Sequence, residues 1–162
     1  MNLKQRAAQL EQRRQRLESG LLAAAEGATL RAVEKAQELT PPTAESLKGT
    51  NTRTGNMKQS WATASRTKPI RRGNEIETVL ADDMEYASYV NDGHRMDRHF
   101  VPGLVINEES GLLEYNPDGK GGIVVGTKTA YIPGIHMVDK AKETYQRVVR
   151  GECERVAKEV LK

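Results

Sequence analysis

Cysteine is nearly absent from this 162-residue sequence, which has Cys153 and no other. No disulfide can therefore form within the chain, and such a sequence suits a reducing cytoplasm. Aromatic residues make up only 4% of the chain, with a single Trp and a single Phe. Each aromatic side chain is thus a candidate for an anchoring position in a core.

Long apolar runs are also missing. No stretch approaches the roughly 20 residues that a membrane span needs. The first residues, Met-Asn-Leu-Lys-Gln-Arg, lack the apolar segment of a signal peptide. We therefore expect a chain that is made in the cytoplasm and has no membrane partner.

Neither charge nor hydrophobicity is in excess. The formal net charge of +3 is too small to indicate a nucleic-acid-binding protein by itself. The hydrophobic fraction is 37% and the charged fraction is 29%. A lean core with much charged surface suits one small domain that packs against neighbouring subunits.

Apolar residues at spacings of three and four predict helices at both ends of the chain, over residues 1–39 and 135–162. Ser19-Gly20 predicts a break in the first region, because Gly costs about 1 kcal/mol in a helix interior. Thr40-Pro41-Pro42 predicts its end. The apolar stripe of the first region is interrupted by Arg14. The stripe residues are Leu3, Ala7, Leu10, Leu17, Leu21 and Ala24 in the first region, and Met137, Ala141, Tyr145, Val148, Val149, Cys153, Val156 and Val160 in the second.

Between the two predicted helical regions, the sequence pattern changes to one that repeats at every second position. Alternation from Met57 to Ser65 and from Glu75 to Leu80 predicts two half-buried strands, with turn residues at Pro69–Asn74 between them. We interpret residues 57–95 as an antiparallel hairpin followed by a short helix. That helix carries Tyr86 and Tyr89, and the preceding Asp82-Asp83 is a candidate cap.

A loop-rich segment follows over residues 96–130. Leu112–Tyr115 and Gly122–Val125 are β-type runs on either side of the turn sequence Asn116-Pro117-Asp118-Gly119. They predict a second hairpin, which we expect to project. The predicted fold class is α+β: a single domain over 1–162, with a small antiparallel sheet of hairpins packed with a long N-terminal helical region and a C-terminal helix.

Two groups of residues could hold a metal ion, but neither has a supporting spacing. Two His and two Asp fall within eight positions, and they match no familiar zinc pattern. Carboxylates near Lys68 could serve a nuclease, yet neighbouring carboxylates after a strand are more typical of a cap or turn. We therefore predict no enzyme, no metal and no cofactor, and keep a metal-dependent enzyme with the metal at His94 and His99 as a third alternative. The first group is Asp92, His94, Asp97 and His99 with His136 from the last helix, and the second is Glu75, Asp82 and Asp83.

A basic run at the turn of the first predicted hairpin is the best candidate for phosphate contacts. It consists of Arg66, Lys68, Arg71 and Arg72. Exposed turns carry side chains that can reach a partner, although charge runs more often mark a solvated surface. Together with an arginine-rich face on the first helix, the run leaves a nucleic-acid-binding module open as an alternative function.

Two short motifs resemble the gene-10-like family of phage tail-completion proteins. Arg53-Thr54-Gly55-Asn56-Met57-Lys58-Gln59-Ser60-Trp61 is similar to that family's Thr-Gly-x-Leu-(Arg/Lys)-x-Ser motif with its following aromatic or aliphatic residue. Tyr86-Ala87-Ser88-Tyr89-Val90-Asn91-Asp92-Gly93-His94-Arg95 is similar to its Tyr-Ala-x-Tyr-Val-(Glu/Asn)-x-Gly-(Thr/His)-Arg signature. The chain departs from the shorter members by an insertion from Met96 to Ala130. The residues that carry the resemblance are Thr54, Gly55, Met57, Trp61, Tyr86, Tyr89, Gly93 and Arg95.

The resemblance implies a structural virion component rather than an enzyme. It places the protein at the head–tail junction or the top of the tail, as a tail-completion or neck subunit in a hexameric ring. The implied partners are further copies of the chain, the portal or connector, the tail terminator or tail tube, and phage DNA passing through the channel. The longer form looks like the version found in contractile-tailed phages and defective prophages.

Overall fold

The computed structural model describes residues 2–42, 55–95, 98–107, 111, 113–116, 121–126 and 131–162. The chain forms two compact units, Met1–Asn91 together with Ile135–Lys162, and Asp92–Gly134. We call the first the helical unit and the second the ladder unit. The prediction of a single domain over 1–162 stays a prediction.

Helices dominate the helical unit, and short antiparallel strands make up the ladder unit. This arrangement confirms the predicted α+β class. The helices are α1 (Leu3–Leu39), α2 (Asn56–Ala64), α3 (Ala87–Asp92) and α4 (Met137–Leu161). The strands are β1 (Arg66–Arg72), β2 (Glu75–Val79), β3 (Gly93–Arg95), β4 (His99–Pro102), β5 (Leu104–Ile106), β6 (Leu113–Tyr115), β7 (Gly122–Val125) and β8 (Tyr131–Pro133).

Helix α1 is continuous over 37 residues, so the predicted break at Ser19-Gly20 is wrong. A capping box begins the helix. The Asn2 side chain accepts from the Gln5 N–H at 2.9 Å, and the Gln5 side chain accepts from the Asn2 N–H at 3.0 Å. Gly20 does not break α1 but allows close packing, because a Cβ there would lie 2.5 Å from Val156 Cγ1. The predicted end of the helix at Thr40-Pro41-Pro42 is confirmed.

Helices α1 and α4 pack antiparallel along an alanine-rich seam. Thr40 lies beside Met137 at one end of the seam, and Gly20 lies beside Val156 at the other. Small side chains let the two backbones approach closely, which is why α1 contributes mostly alanines to it. The buried α1 residues are Ala24, Ala25, Ala28, Thr29, Ala32, Val33 and Ala36. The α4 stripe is confirmed, with Met137, Ala141 and Val156 fully buried.

Residues 56–64 form helix α2, so the strand predicted from Met57 to Ser65 is wrong. Its buried residues are Met57, Ser60 and Trp61, at helical spacings of three and four. The alternating pattern was ambiguous because Met57 and Trp61, four residues apart, share a face in a strand as well as in a helix. Gly55 lies immediately before the helix with φ of 75°, a conformation that favours glycine.

A hairpin of β1 and β2 follows α2. The predicted strand at Glu75–Leu80 is confirmed as β2, and its partner is β1 rather than the segment from Met57 to Ser65. The register shifts between Arg66 and Ile70, at a stretch that includes Pro69, which cannot donate a ladder hydrogen bond. The Thr78 and Thr29 hydroxyls lie 2.7 Å apart and join β2 to α1.

The core of the helical unit lies where α1, α2 and α4 meet. Its buried residues are Ala32, Val33, Ala36, Met57, Trp61, Met137 and Ala141. Leu80, Ala87, Val90 and Tyr145 are among the partly buried residues that pack against it. The predicted short helix is confirmed as α3, which places Val90 against this core.

The ladder unit consists of nested antiparallel pairs. Strand β3 pairs with β8, β4 with β7, and β5 with β6. The runs predicted at Leu112–Tyr115 and Gly122–Val125 are confirmed as β6 and β7, but they do not pair with each other as we predicted. Each instead pairs with an earlier strand that the pattern did not reveal. Pro117, Asp118 and Gly119 of the predicted turn lie outside the described residues.

Candidate assembly surfaces

The first motif fastens α2 into the core through Trp61. This side chain is 3% exposed, and its indole N–H donates to the Thr40 hydroxyl at 2.8 Å. The Thr40 hydroxyl in turn donates to the Ala36 carbonyl at 2.6 Å, and it lies 3.0 Å from Met137 Sδ. The predicted anchoring role of Trp61 therefore holds for a helix instead of a strand. Thr54 lies outside the described residues.

Ser60 is a motif residue whose role the sequence did not reveal. Its hydroxyl donates to the Asp83 carboxylate and accepts from the Asp83 N–H, the latter at 3.1 Å. Ser65 makes a similar pair with the backbone of Ala81, at 3.2 and 3.0 Å. These two serines tie the segment just after β2 to α2 and to its C-cap, Ser65. Their partners are 16 and 23 residues away in sequence, so local spacing could not predict the contacts.

The second motif joins α3 to the start of α4. The Asn91 side chain accepts from the Val138 N–H at 3.0 Å, and the Asn91 carbonyl accepts from the His136 N–H at 2.9 Å. Asn91 thereby satisfies N–H groups at the beginning of α4 that have no partner within that helix. Tyr86 and Tyr89, two of the residues that carry the family resemblance, are 46% and 58% exposed. They belong to the surface, while Val90 between Tyr89 and Asn91 enters the core.

Gly93 begins β3 at a position that excludes a side chain. Its φ is 83°, and a Cβ would lie 2.5 Å from the Ile132 carbonyl oxygen and 2.6 Å from the Gly134 nitrogen. The Tyr131 hydroxyl donates to the Asp92 carbonyl at 2.9 Å across the same pair of strands. Arg95 is exposed and stands opposite Tyr131 in the register. Gly93 directly follows the last residue of α3.

The basic run lies on β1, with Arg71 and Arg72 next to the turn. Its arginines have carboxylate partners: Arg66 and Arg72 contact Glu77, at 2.6 and 3.3 Å. Arg71 pairs with Glu18 of α1. Lys68 is exposed, and no carboxylate in the described part of the chain forms an ion pair with it. The local excess of positive charge is therefore smaller than the sequence suggested.

The ladder unit exposes large apolar side chains. Phe100 of β4 and Val124 of β7 face each other in the register and are 56% and 53% exposed. Ile106 of β5 is 59% exposed. A two-stranded sheet cannot bury both of its faces within itself. Phe100 and Val124 therefore form an exposed apolar pair on the ladder unit.

The metal-site candidates do not assemble within the described residues. There, no three His, Cys, Asp or Glu side chains lie close enough together to hold an ion. Asp97 and the side chain of His99 lie outside what the structure describes. Over the same described ranges, no helix combines the length and hydropathy that crossing a membrane requires.

No curated protein and no solved structure matches the chain. A family model described as "Bacteriophage HK97-gp10, putative tail-component" matches residues 4–93, more than half of the chain. The match covers both motifs as far as Gly93, together with α2, α3, the hairpin and nearly all of α1. It confirms the resemblance drawn from the motifs. Members of such a family are structural proteins of the virion and contact other virion proteins. The chain therefore belongs to the HK97-gp10-like family of phage tail components.

Proposed function

We propose that the protein is a tail-completion or neck subunit that works at the head–tail junction in a closed ring of six identical copies. The observation that carries this proposal is the exposed apolar pair of Phe100 and Val124 on a sheet of only two strands. Large apolar side chains grouped on a surface mark an interaction site. A ring formed by head-to-tail contacts covers one such surface on every subunit.

The distribution of motif residues supports the same proposal. Trp61, Ser60 and Asn91 make their contacts inside the helical unit, so this part of the family signature maintains the fold. Tyr86 and Tyr89 remain exposed. Exposed tyrosines offer both an apolar ring and a polar hydroxyl to a neighbour. We assign them to contacts with an adjacent copy, the portal or connector, or the tail terminator or tail tube.

The hairpin carrying Arg66, Lys68, Arg71 and Arg72 is proposed to face DNA in the channel of the ring. The ion pairs with Glu77 and Glu18 reduce the positive charge of this surface. A weakly basic wall suits DNA that passes through, since each phosphate contact adds to affinity and to its salt dependence. Because the ion pairs with Glu77 and Glu18 reduce the positive charge of the hairpin, they argue against the alternative of a stand-alone nucleic-acid-binding module.

Measuring the size of the complete protein in solution, alone and with its connector and tail proteins, tests the ring. We expect a closed oligomer that electron microscopy shows as a ring. The double substitution Phe100→Ser and Val124→Ser should abolish this oligomer while the chain stays folded, as circular dichroism would show, because both side chains are more than half exposed.

The matched control is Leu161→Ser, which makes a similar change at a 75% exposed position of α4. We expect this variant to assemble like the unmodified protein. A protein that stays monomeric even beside its connector and tail partners would overturn the proposal of a ring. Normal assembly of the Phe100 and Val124 variant would show that this surface does not carry the contact.

A further inference from the structure

Toward the N-terminus of α1, the apolar stripe of the helix extends beyond the packed part of the helical unit and becomes exposed. Ala24 is buried and Leu17 is half-buried, whereas Leu10 is 53% exposed and Leu3 is 90% exposed. The α1 contacts nearest to this end include the ion pair from Glu18 to Arg71 and the approach of Gly20 to Val156. We call residues 3–17 the overhang.

The overhang has the spacing of a coiled coil. Leu3, Leu10 and Leu17 recur every seven residues, and Ala7, Arg14 and Leu21 recur every seven between them. In heptad notation the leucines occupy position d, and the second set occupies position a. A seam at a and d is the face that an α-helix presents to a second helix.

The charges beside this seam specify the orientation of the second helix. Arg6 and Arg13 occupy position g, and Lys4, Glu11 and Glu18 occupy position e. In a parallel pair each g residue meets the e residue five positions further along the partner, so Arg6 meets Glu11, and Arg13 meets Glu18, which also pairs with Arg71 of its own chain. In an antiparallel pair g residues meet each other, which would place arginine against arginine. The arginines at position g therefore meet opposite charges only when the second helix is a parallel copy of the same segment.

We infer that the overhang is the docking surface for the overhang of a second copy of this chain, in a parallel coiled-coil contact. This inference rests on the proposed function, because a ring with cyclic symmetry brings equivalent helices close together, and those that run along the ring axis are parallel. About two heptads form a marginal coiled coil alone, and the ring would raise the effective concentration of one overhang for the next.

Arg14 is the polar residue of the seam. It contacts Glu11 at 2.8 Å, and this hydrogen bond raises the pKa of the guanidinium. Arg14 thus places a charged residue at position a, where a polar residue lowers the stability of a coiled coil while it selects one register and number of helices. Because the Arg14–Glu11 pair is exposed, Glu11 can exchange Arg14 for Arg6 of a neighbour at little cost.

Self-association of the full chain, measured by sedimentation at low salt, tests the inference. Leu10→Ala should weaken association by about tenfold or more, because position d is buried only in the complex. Arg6→Glu should weaken it by about three- to tenfold, since like charges then face each other. Adding Glu11→Arg to Arg6→Glu restores opposite charges and should restore association. Arg16→Glu, the same charge change away from the seam at position c, is the matched control and should have no effect.

The possible outcomes separate this inference from the proposed ring. If the chain self-associates and none of these variants differs from the unmodified protein, the coiled-coil contact is wrong and the ring stands. If variants self-associate normally but fail to enter particles, the overhang binds another virion protein and the inference is again wrong. A chain that remains monomeric, alone and with its connector and tail proteins, overturns both. Circular dichroism checks that each variant retains the helical content of the unmodified protein.

Discussion

Thr40 shows how much can depend on one hydroxyl group. It is completely buried at the end of α1, where it accepts a hydrogen bond from Trp61 and donates one to Ala36. It thereby joins α2 to α1 next to Met137 at the beginning of α4. From the sequence, Thr40 was only the residue before two prolines. The anchoring role of Trp61 could be predicted because it is the largest apolar side chain, but its polar partner 21 residues away could not.

Replacing Thr40 by valine keeps the shape of the side chain and removes the hydroxyl. We expect the free energy of unfolding to fall by about 1–3 kcal/mol, because the buried indole N–H of Trp61 loses its acceptor. Denaturant titration followed by Trp61 fluorescence measures the change. Thr63→Val on the exposed side of α2 should change stability by less than about 0.5 kcal/mol. Equal stability of the two variants would show that the hydrogen bond contributes nothing.

At the level of helices, the two glycines of α1 differ in what an added side chain would contact. Gly20 lies against Val156, whereas an added Cβ at Gly27 would meet no atom within 4 Å. Only Gly20 therefore permits the close approach of α4.

Gly20→Ala should destabilise the protein by about 1–3 kcal/mol, because the added methyl group overlaps a β-branched side chain that has little freedom to move. Gly27→Ala should stabilise it by about 0.5–1 kcal/mol, since alanine favours a helix more than glycine does. Thermal unfolding of the two variants in parallel measures both effects. A stabilising Gly20→Ala would mean that the two helices are not in close contact at this point.

The elements themselves were predictable to different degrees, for identifiable physical reasons. The apolar periodicity was sufficient to predict helix α4, and the prolines after Thr40 were sufficient to predict the end of α1, because amphipathic spacing and proline geometry act locally. The pattern at Met57–Ser65 was not sufficient, because Met57 and Trp61 fit either period and the contact of Ser60 with Asp83 lies beyond any local window. Strand pairing in the ladder unit was also missed, because a period of two identifies strands without identifying their partners. For the candidate DNA surface, the sequence supplied the basic residues but not their ion pairs with Glu77 and Glu18.

For the whole molecule, these ion pairs single out Lys68 in the proposed contact with DNA. Lys68→Ala should reduce the slope of log affinity against log salt by about 1 for duplex DNA, because one phosphate contact is lost. Lys158→Ala, at an exposed position of α4, is the control and should leave the slope unchanged. A fluorescence-anisotropy titration with a short duplex at several salt concentrations measures this. An unchanged slope for Lys68→Ala would exclude this face of the hairpin from the contact.

The nested order of the ladder unit has a consequence for how relatives of this chain can differ in length. The two ends of the inserted segment are neighbours, because Arg95 just before it stands opposite Tyr131 just after it. Residues can thus be gained or lost in matched pairs from the inner ladders while β3 and β8 stay joined. Doubling the length of such a loop costs only about 0.6 kcal/mol in closure entropy. Evolution can therefore vary the reach of this segment freely while the helical unit, which carries the first motif and the second as far as Asn91, stays constant.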